Sequence, residues 1–125
     1  MIHIFKAGDY DINMEFSWIG DWSKRRAMIT PNKEAIYDHM NKERYSFKDM
    51  DERANKLARF LLNNNLRKGD RIAVFSTNRL ESVDLYFAAG KIGAILVPFN
   101  VRLAPNELEY LFKKTKPSIL FYEKK

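Results

Sequence analysis

The sequence predicts an α/β protein built on a parallel β-α-β-α-β unit, preceded by a short hairpin and helices. Three continuous apolar runs, at 72–75, 95–97 and 119–122, alternate with two helical patterns, at 79–92 and 105–113. Unbroken apolar strands are typical of parallel sheets covered on both faces, and parallel neighbours require crossovers. We therefore expect three parallel strands joined by right-handed helical crossovers.

A helix and a hairpin are predicted ahead of this unit. The helix runs to about Met28, and Pro31 with its polar neighbours ends it. Two short β-like runs follow, at 34–38 and 44–47, joined by the polar residues 39–42 as a hairpin. Aromatic stripes at helical spacing usually belong to a core, so we expect the first helix to dock through them, a hydrophobic ligand wall being the alternative. The apolar residues of this first helix are Phe16, Trp18, Ile19 and Trp22.

A long amphipathic helix is predicted after the hairpin. Ser46 and Asp49 resemble a capping box, in which the two residues satisfy each other's free backbone N–H groups. The helix should end at the three asparagines 63–65 and before Gly69, because these residues tolerate left-handed backbone. Its apolar positions recur at helical spacing and are Phe47, Met50, Ala54, Leu57, Ala58, Leu61 and Leu62.

The turn after the first apolar strand lacks the feature that usually holds phosphate. Gly90 and Gly93 lie at the far end of the crossover helix, whereas a dinucleotide site needs glycines directly after the strand. Asn78 with Glu81 is predicted to cap that helix, and a direct ligand contact by Asn78 is the alternative. Pro105 suits the first turn of the second crossover helix.

Composition restricts the class of protein. A chain of 125 residues fits one domain, and with no cysteine it has neither a disulfide framework nor a thiolate metal site, which favours a cytoplasmic location. His3 and His39 lack the spacing of metal ligands, and the longest apolar run, 94–99, is too short for a membrane span. The net charge of +6 is spread among acidic residues, so we expect no nucleic-acid partner.

No catalytic residue is predicted. Asp49, Asp51 and Glu52 are expected in the first turn of the long helix, where the helix dipole favours negative charge and no acid–base pair is required. Asp9 and Asp11 belong to the segment 1–15, which is predicted to be an irregular tail. The serines have no histidine and acid at a recognisable spacing for nucleophilic catalysis.

Arg102 is the one candidate for a binding residue. It lies just after an apolar strand, in the segment 98–103, and open α/β sheets bind ligands at the carboxyl ends of their strands. Its guanidinium is a planar, permanently charged fork that suits phosphate. The alternatives are a solvated loop arginine or an ion pair with Glu107.

Four segments together resemble the amino-terminal part of the adenylate-forming, AMP-binding superfamily, and most closely that of acyl-CoA synthetases such as long-chain fatty acid CoA ligases. The resemblance runs from about Phe16 to the end of the chain, so 16–125 would be the amino-terminal, truncated part of the large domain. Phe47 and Met50 replace the tyrosine and leucine that are common at those positions. The segments are YSFKDM at 45–50, KGDRIAV at 68–74, AAGKIGAILVPFN at 88–100, and Arg102-Leu103 with Glu107-Leu108.

The resemblance implies an acid–CoA ligase that uses ATP, coenzyme A and magnesium. A carboxylate would attack the α-phosphorus of ATP to give an acyl-adenylate and pyrophosphate, and the thiol of coenzyme A would then displace AMP. The family's phosphate loop, magnesium-binding acid and catalytic lysine lie beyond this region, so the chain would be an inactive scaffold that binds none of these groups by itself. The arginine matching Arg102 approaches the coenzyme A phosphates in some members.

The expected partners are the remainder of the same polypeptide and, in the intact enzyme, a fatty acid or other carboxylic acid. Because three short parallel strands leave sheet edges unpaired, we also expect the isolated chain to self-associate. A stand-alone, non-catalytic α/β binding or interaction module is the alternative from another class. A basic RNA-associated domain is a third interpretation, and it would require salt-sensitive RNA binding.

Overall fold

The structure is a computed structural model that describes residues 21–124. Four helices and five strands occur in this part of the chain. In chain order they are α1 (Trp22–Ile29), β1 (Glu34–Asp38), β2 (Glu43–Ser46), α2 (Phe47–Asn63), β3 (Arg71–Phe75), α3 (Leu80–Ile92), β4 (Ile95–Pro98), α4 (Pro105–Thr115) and β5 (Ile119–Tyr122).

The strands form two sheets of the predicted kinds. β3, β4 and β5 make a parallel sheet in the order β4-β3-β5, in which Ile72 is in register with both Leu96 and Ile119. β1 and β2 form an antiparallel hairpin closed by residues 39–42. The predicted fold class, an α/β protein with a parallel β-α-β-α-β unit after a hairpin, is confirmed.

The hydrophobic core lies between one face of the parallel sheet and the helix pair α2 and α3. Ile72 and Val74 of β3 point to this side, and they are flanked by Leu96 of β4 and Phe121 of β5. The second half of the apolar pattern predicted for α2 therefore packs into this core. The buried core residues are Ala58, Leu61, Leu66, Ile72, Val74, Leu85, Ala88, Ala89 and Ile92.

The opposite face of the sheet is only partly covered. The expectation that all three strands are buried on both faces holds for β3 and is wrong for β4 and β5, where Ile95, Leu120 and Tyr122 are 50%, 37% and 65% exposed. The reason is that α4 buries none of its residues, although Phe112 makes an edge-to-face contact with the buried Phe99 at 4.9 Å between ring centroids.

The first helix is attached differently from the prediction. α1 begins at Trp22, and Phe16, Trp18 and Ile19 lie outside the described residues. Trp22 is 58% exposed, so docking through its ring is wrong, and the residue that α1 buries is Ser23. A polar contact therefore takes the place of the predicted aromatic one.

The ends of the helices follow local sequence with one exception. The Ser46–Asp49 capping box is present at α2, which takes Phe47 from the predicted second strand, and Gly69 has a left-handed φ of +87°. The predicted Asn78 cap is wrong because the chain remains extended through Arg79, with φ −137° and ψ 161°, and Arg79 provides no side-chain cap. Within residues 21–124, no helix combines the length and the apolar character needed to cross a bilayer.

Candidate functional site

The candidate site is the carboxyl edge of the parallel sheet. The chain leaves β3, returns through β4 on one side of it, and then crosses to β5 on the other side. Such a reversal of strand order opens a crevice beside β3 where α/β proteins bind ligands. The loops at this edge are 76–79 after β3 and 99–104 after β4, and Glu123 follows β5 directly.

The turn after β3 is already occupied by a carboxylate of the same chain. Glu123 accepts hydrogen bonds from the Thr77 hydroxyl at 2.8 Å, from the Thr77 backbone N–H at 3.3 Å, and from Arg79 Nη1 at 2.7 Å. The bonds from Thr77, followed by that from Arg79, lower the pKa of Glu123, and Glu123 in turn raises the pKa of Arg79. Glu123 thus already accepts from the Thr77 hydroxyl, the Thr77 N–H and the Arg79 guanidinium, which a phosphate at this turn would otherwise use.

A cleft of about 420 Å³ lies at the carboxyl ends of the paired strands β3 and β4. Its walls combine backbone and hydroxyl groups of the first loop with apolar side chains from the second strand, which is the usual mixture for a small-molecule pocket. Neither loop contains glycine. The lining residues are Val74, Ser76, Thr77, Asn78, Ser82, Leu96, Pro98, Phe99, Asn100 and Val101.

Arg102 lies beside this cleft with its side chain in solvent. Its backbone N–H donates to Asn100 Oδ1 at 2.9 Å, which fixes the turn after β4. Glu107 does not pair with it; that carboxylate accepts the Ala104 N–H at 2.8 Å at the start of α4. Within the described residues no carboxylate lies within ion-pair distance of the Arg102 guanidinium. The predicted position after the strand is confirmed, and the Glu107 pair is not formed.

A second cleft, of about 630 Å³, lies between the hairpin and the turn after β3. Asp38 and His39 line it, but the Asp38 carboxylate accepts the Asn41 side-chain N–H at 2.8 Å and the Met40 backbone N–H at 3.0 Å. These bonds, chiefly the one from the Asn41 side chain, lower the pKa of Asp38. The carboxylate thus stabilises the hairpin turn, and the geometry contains no acid–base pair with His39.

The three acids predicted at the start of α2 have three different environments. Asp49 belongs to the capping box, and Glu52 is a surface residue 3.9 Å from Lys48. Asp51 is buried and paired with Lys91, and it lies beyond the first turn in which it was predicted. The sequence signal for this pair was a lysine, Lys91, inside the apolar pattern of α3.

The residues present do not fit a magnesium–ATP site. Among residues 21–124 no three histidine or acidic side chains are grouped as metal ligands. Both loops at the candidate site also lack the glycines that let a backbone approach phosphate closely. The group that fits phosphate chemistry is the Arg102 guanidinium, which is exposed beside the cleft.

These features define the class of protein as an α/β scaffold of the kind that binds ligands at the carboxyl ends of its strands. A family model described as AMP-binding enzyme matches residues 23–125. The chain belongs to this family. The resemblance noted in four sequence segments is therefore confirmed over most of the chain.

Two curated relatives illustrate the kinds of enzyme that the chain resembles. It is 37% identical over 95 residues to the 2-succinylbenzoate–CoA ligase of a Geobacillus strain, which covers 76% of the chain and 19% of that protein. It is 31% identical over 104 residues to the long-chain-fatty-acid–CoA ligase FadD13 of Mycobacterium tuberculosis, and the match covers 83% of this chain and 21% of that protein. The chain thus spans about a fifth of the length of these relatives.

Solved structures agree with the family and the fold. The fatty acyl CoA synthetase of Mycobacterium tuberculosis superposes with a TM-score of 0.80 at 31% identity, covering 83% of this chain and 21% of that one. The O-succinylbenzoate coenzyme A synthetase of Bacillus subtilis, in complex with ATP and magnesium ion, superposes with a TM-score of 0.75 at 26% identity. This match covers 82% of this chain and 28% of that one. The described sheet is thus a recurrent part of this family.

Proposed function

We propose that this chain is the amino-terminal scaffold of an ATP-dependent acid–CoA ligase that acts on a fatty acid through an acyl-adenylate. The observation that carries the proposal is the family match from residue 23 to residue 125, with relatives that are named as CoA ligases. We assign residues 16–125 to the large domain of that enzyme and residues 1–15 to a tail. The remainder of the same polypeptide is the proposed partner of the scaffold.

The proposed reaction has two displacements. A carboxylate oxygen attacks the α-phosphorus of ATP, the bond to pyrophosphate breaks, and the acyl-adenylate forms. The sulfur of coenzyme A then attacks the acyl carbon, and AMP leaves with the electrons of the broken carbon–oxygen bond. We assign no step to residues 21–124, because they include neither a phosphate loop nor a group of magnesium ligands. The intact enzyme is therefore proposed to require ATP, magnesium and coenzyme A, and the chain alone is proposed to bind none of them.

A fatty acid is the proposed substrate class, in line with the fatty-acid relative and with the fatty acyl CoA synthetase that superposes best among the structures described above. Succinylbenzoate is the second candidate, because the ligase named for it has the higher identity, 37% against 31%. A panel containing fatty acids of several lengths and succinylbenzoate, scored by AMP release in the intact enzyme, distinguishes the two classes.

The experiment on the scaffold proposal compares the 125-residue chain with the intact enzyme. We expect no ATP–pyrophosphate exchange above background from the chain alone, and acid-dependent, coenzyme A-dependent AMP release from the intact protein. Exchange by the purified chain would overturn the scaffold proposal. Failure of the intact protein to release AMP with any acid of the panel would favour a stand-alone, non-catalytic α/β binding or interaction module.

We also propose that Arg102 contacts a phosphate of coenzyme A. The support is its exposed guanidinium beside the cleft at the carboxyl edge. A hydrogen bond to a charged group contributes about 1.5–3 kcal/mol, so Arg102→Ala in the intact enzyme should weaken apparent coenzyme A affinity roughly ten- to a hundredfold, with adenylation unchanged. The matched control is Arg59→Ala, which removes another exposed arginine, on α2. Unchanged coenzyme A dependence would make Arg102 a solvated loop residue.

A further inference from the structure

Helix α1 lies on the rest of the molecule with little apolar burial. Among its eight residues only Ser23 is buried, while Trp22, Met28 and Ile29 are all exposed. Arg26 places its guanidinium 4.8 Å from the centre of the Phe47 ring, a contact that leaves the cation near the surface. Since burial of apolar surface is the usual force that holds a helix in place, α1 needs another source of attachment.

A buried polar group supplies such an attachment; it is here called the Lys91 cluster and is made of Asp21, Ser23, Asp51, Asn55 and Lys91. The Lys91 side chain is 8% exposed, and its Nζ donates to Asp21 Oδ1 at 2.6 Å and to Asp51 Oδ1 at 2.7 Å. Ser23 Oγ also donates to Asp51 Oδ1 at 2.7 Å, and Asn55 Nδ2 donates to Asp51 Oδ2 at 3.1 Å. One ammonium thus joins the start of α1, the second turn of α2 and the last turn of α3.

The members of the cluster differ in what holds them in place. Asp51 and Lys91 belong to helices whose apolar sides form the core, so neither can leave without disrupting it. Asp21 is the cap residue of α1, where its carboxylate also accepts the Lys24 backbone N–H at 3.4 Å. Removal of the ammonium would leave two carboxylates facing each other out of water, which is strongly unfavourable. The least costly response is for α1 to move and carry Asp21 into solvent.

We propose that the Lys91 ammonium holds α1 on α2 and α3 through its two carboxylate partners. We further propose that α1 is a separate unit of local unfolding, whose opening depends on this charge. The cluster lies at the end of α3 that precedes β4, which is the opposite end of the sheet from the carboxyl edge. Release of α1 therefore leaves the candidate ligand cleft intact. The inference concerns the attachment of α1 and stands independently of the proposed ligase activity.

The test is amide hydrogen exchange of the 125-residue chain, measured residue by residue. The key variant is Lys91→Met, which keeps the length of the stem and removes the charge. We expect the amides of Arg26–Thr30 to exchange at least about tenfold faster, while those in α2 and β3 change by less than about threefold, because local opening is independent of global unfolding. Lys113→Met is the matched control, since it breaks an exposed pair with Glu109 on α4.

A second variant keeps the test decisive if Lys91→Met fails to fold. Asp21→Asn leaves both core helices unchanged and weakens only the ion pair between α1 and Lys91, so it should also accelerate exchange in α1 selectively. Equal acceleration of α1, α2 and β3 in Asp21→Asn would mean that α1 is part of the global folding unit and would overturn the inference. Unchanged α1 exchange in Asp21→Asn would overturn it as well.

Discussion

At the scale of single residues, a partly buried ion pair between Arg53 and Asp84 ties α2 to α3. Arg53 donates through Nε to Asp84 Oδ1 at 3.0 Å and through Nη2 to Asp84 Oδ2 at 2.6 Å. The two side chains are 33% and 8% exposed, and the Arg53 guanidinium also lies 5.2 Å from the Tyr45 ring centre. The hydrogen bond to Asp84 is the main reason that the pKa of Arg53 is raised.

We expect Arg53→Met to lower the free energy of unfolding by about 2–3 kcal/mol, because it leaves the buried Asp84 carboxylate without its cation. The value is below the usual cost for fully buried pairs since Arg53 is a third exposed. Chemical denaturation of the variant and the parent chain measures this change in the free energy of unfolding. The double variant Arg53→Met/Asp84→Leu should recover much of the loss, and Lys48→Ala, at an exposed pair, should change stability by less than about 0.5 kcal/mol. A double variant as unstable as the single one would contradict this account.

At the scale of elements, the capping box sets where α2 begins. Ser46 Oγ accepts the Asp49 N–H at 3.2 Å, and Asp49 Oδ2 accepts the Ser46 N–H at 2.8 Å and the Ser46 hydroxyl at 2.7 Å. The side-chain bond from Ser46, followed by the backbone bond, lowers the pKa of Asp49. The charged form of Asp49 thus stabilises the folded helix.

We expect Ser46→Ala to cost about 1 kcal/mol near neutral pH, the usual value for a lost cap. Because the folded pKa of Asp49 is depressed, its contribution is complete above the unfolded carboxyl pKa of about 3.9 and is lost as the pH falls through the lower folded value. The difference between Ser46→Ala and the parent chain should therefore shrink between pH 6 and pH 3 in denaturant titrations. A difference that is constant over this range would mean that Asp49 adds nothing as an anion.

At the scale of the whole molecule, the residues that the structure describes, 21–124, leave two edges and one face of the parallel sheet open. Among these residues β4 and β5 each pair only with β3, and Ile95, Leu120 and Tyr122 on the outer face are exposed. Unpaired strand edges beside apolar side chains are templates for further pairing. In the intact ligase that we propose, the remainder of the large domain would cover this surface.

We expect the isolated chain to self-associate at high concentration, with a closed two-fold dimer as the main form. The net charge of +6 opposes this only over a screening length of about 8 Å at physiological salt. Sedimentation over a wide concentration range, at low and high salt, measures the self-association of the chain. Leu120→Lys on the open face should weaken association, whereas Tyr86→Lys, at an exposed position of α3, should not. A parent chain that stays monomeric at all concentrations would favour the stand-alone module.

Local chemistry made several features predictable from the sequence. The run 119–122 became β5 with the same bounds, and the Ser46–Asp49 pair formed the predicted cap, because a strand run and a cap depend on neighbours in the chain. The position of Arg102 after β4 followed in the same way, since the end of an apolar run marks the end of a strand. The sequence by itself therefore determined the order of the elements, the parallel class of the sheet and the position of Arg102 after β4.

Contacts between residues distant in the chain were decided only by the tertiary structure. Lys91 meets Asp21 and Asp51 across 70 and 40 residues, and no local pattern specifies which carboxylates a buried ammonium will reach. The exposure of Trp22 and the bond between Arg79 and Glu123 likewise depend on how elements pack. The physical reason is that caps and strand runs are stabilised by short-range bonds, whereas burial and buried ion pairs depend on which surfaces the folded chain brings together.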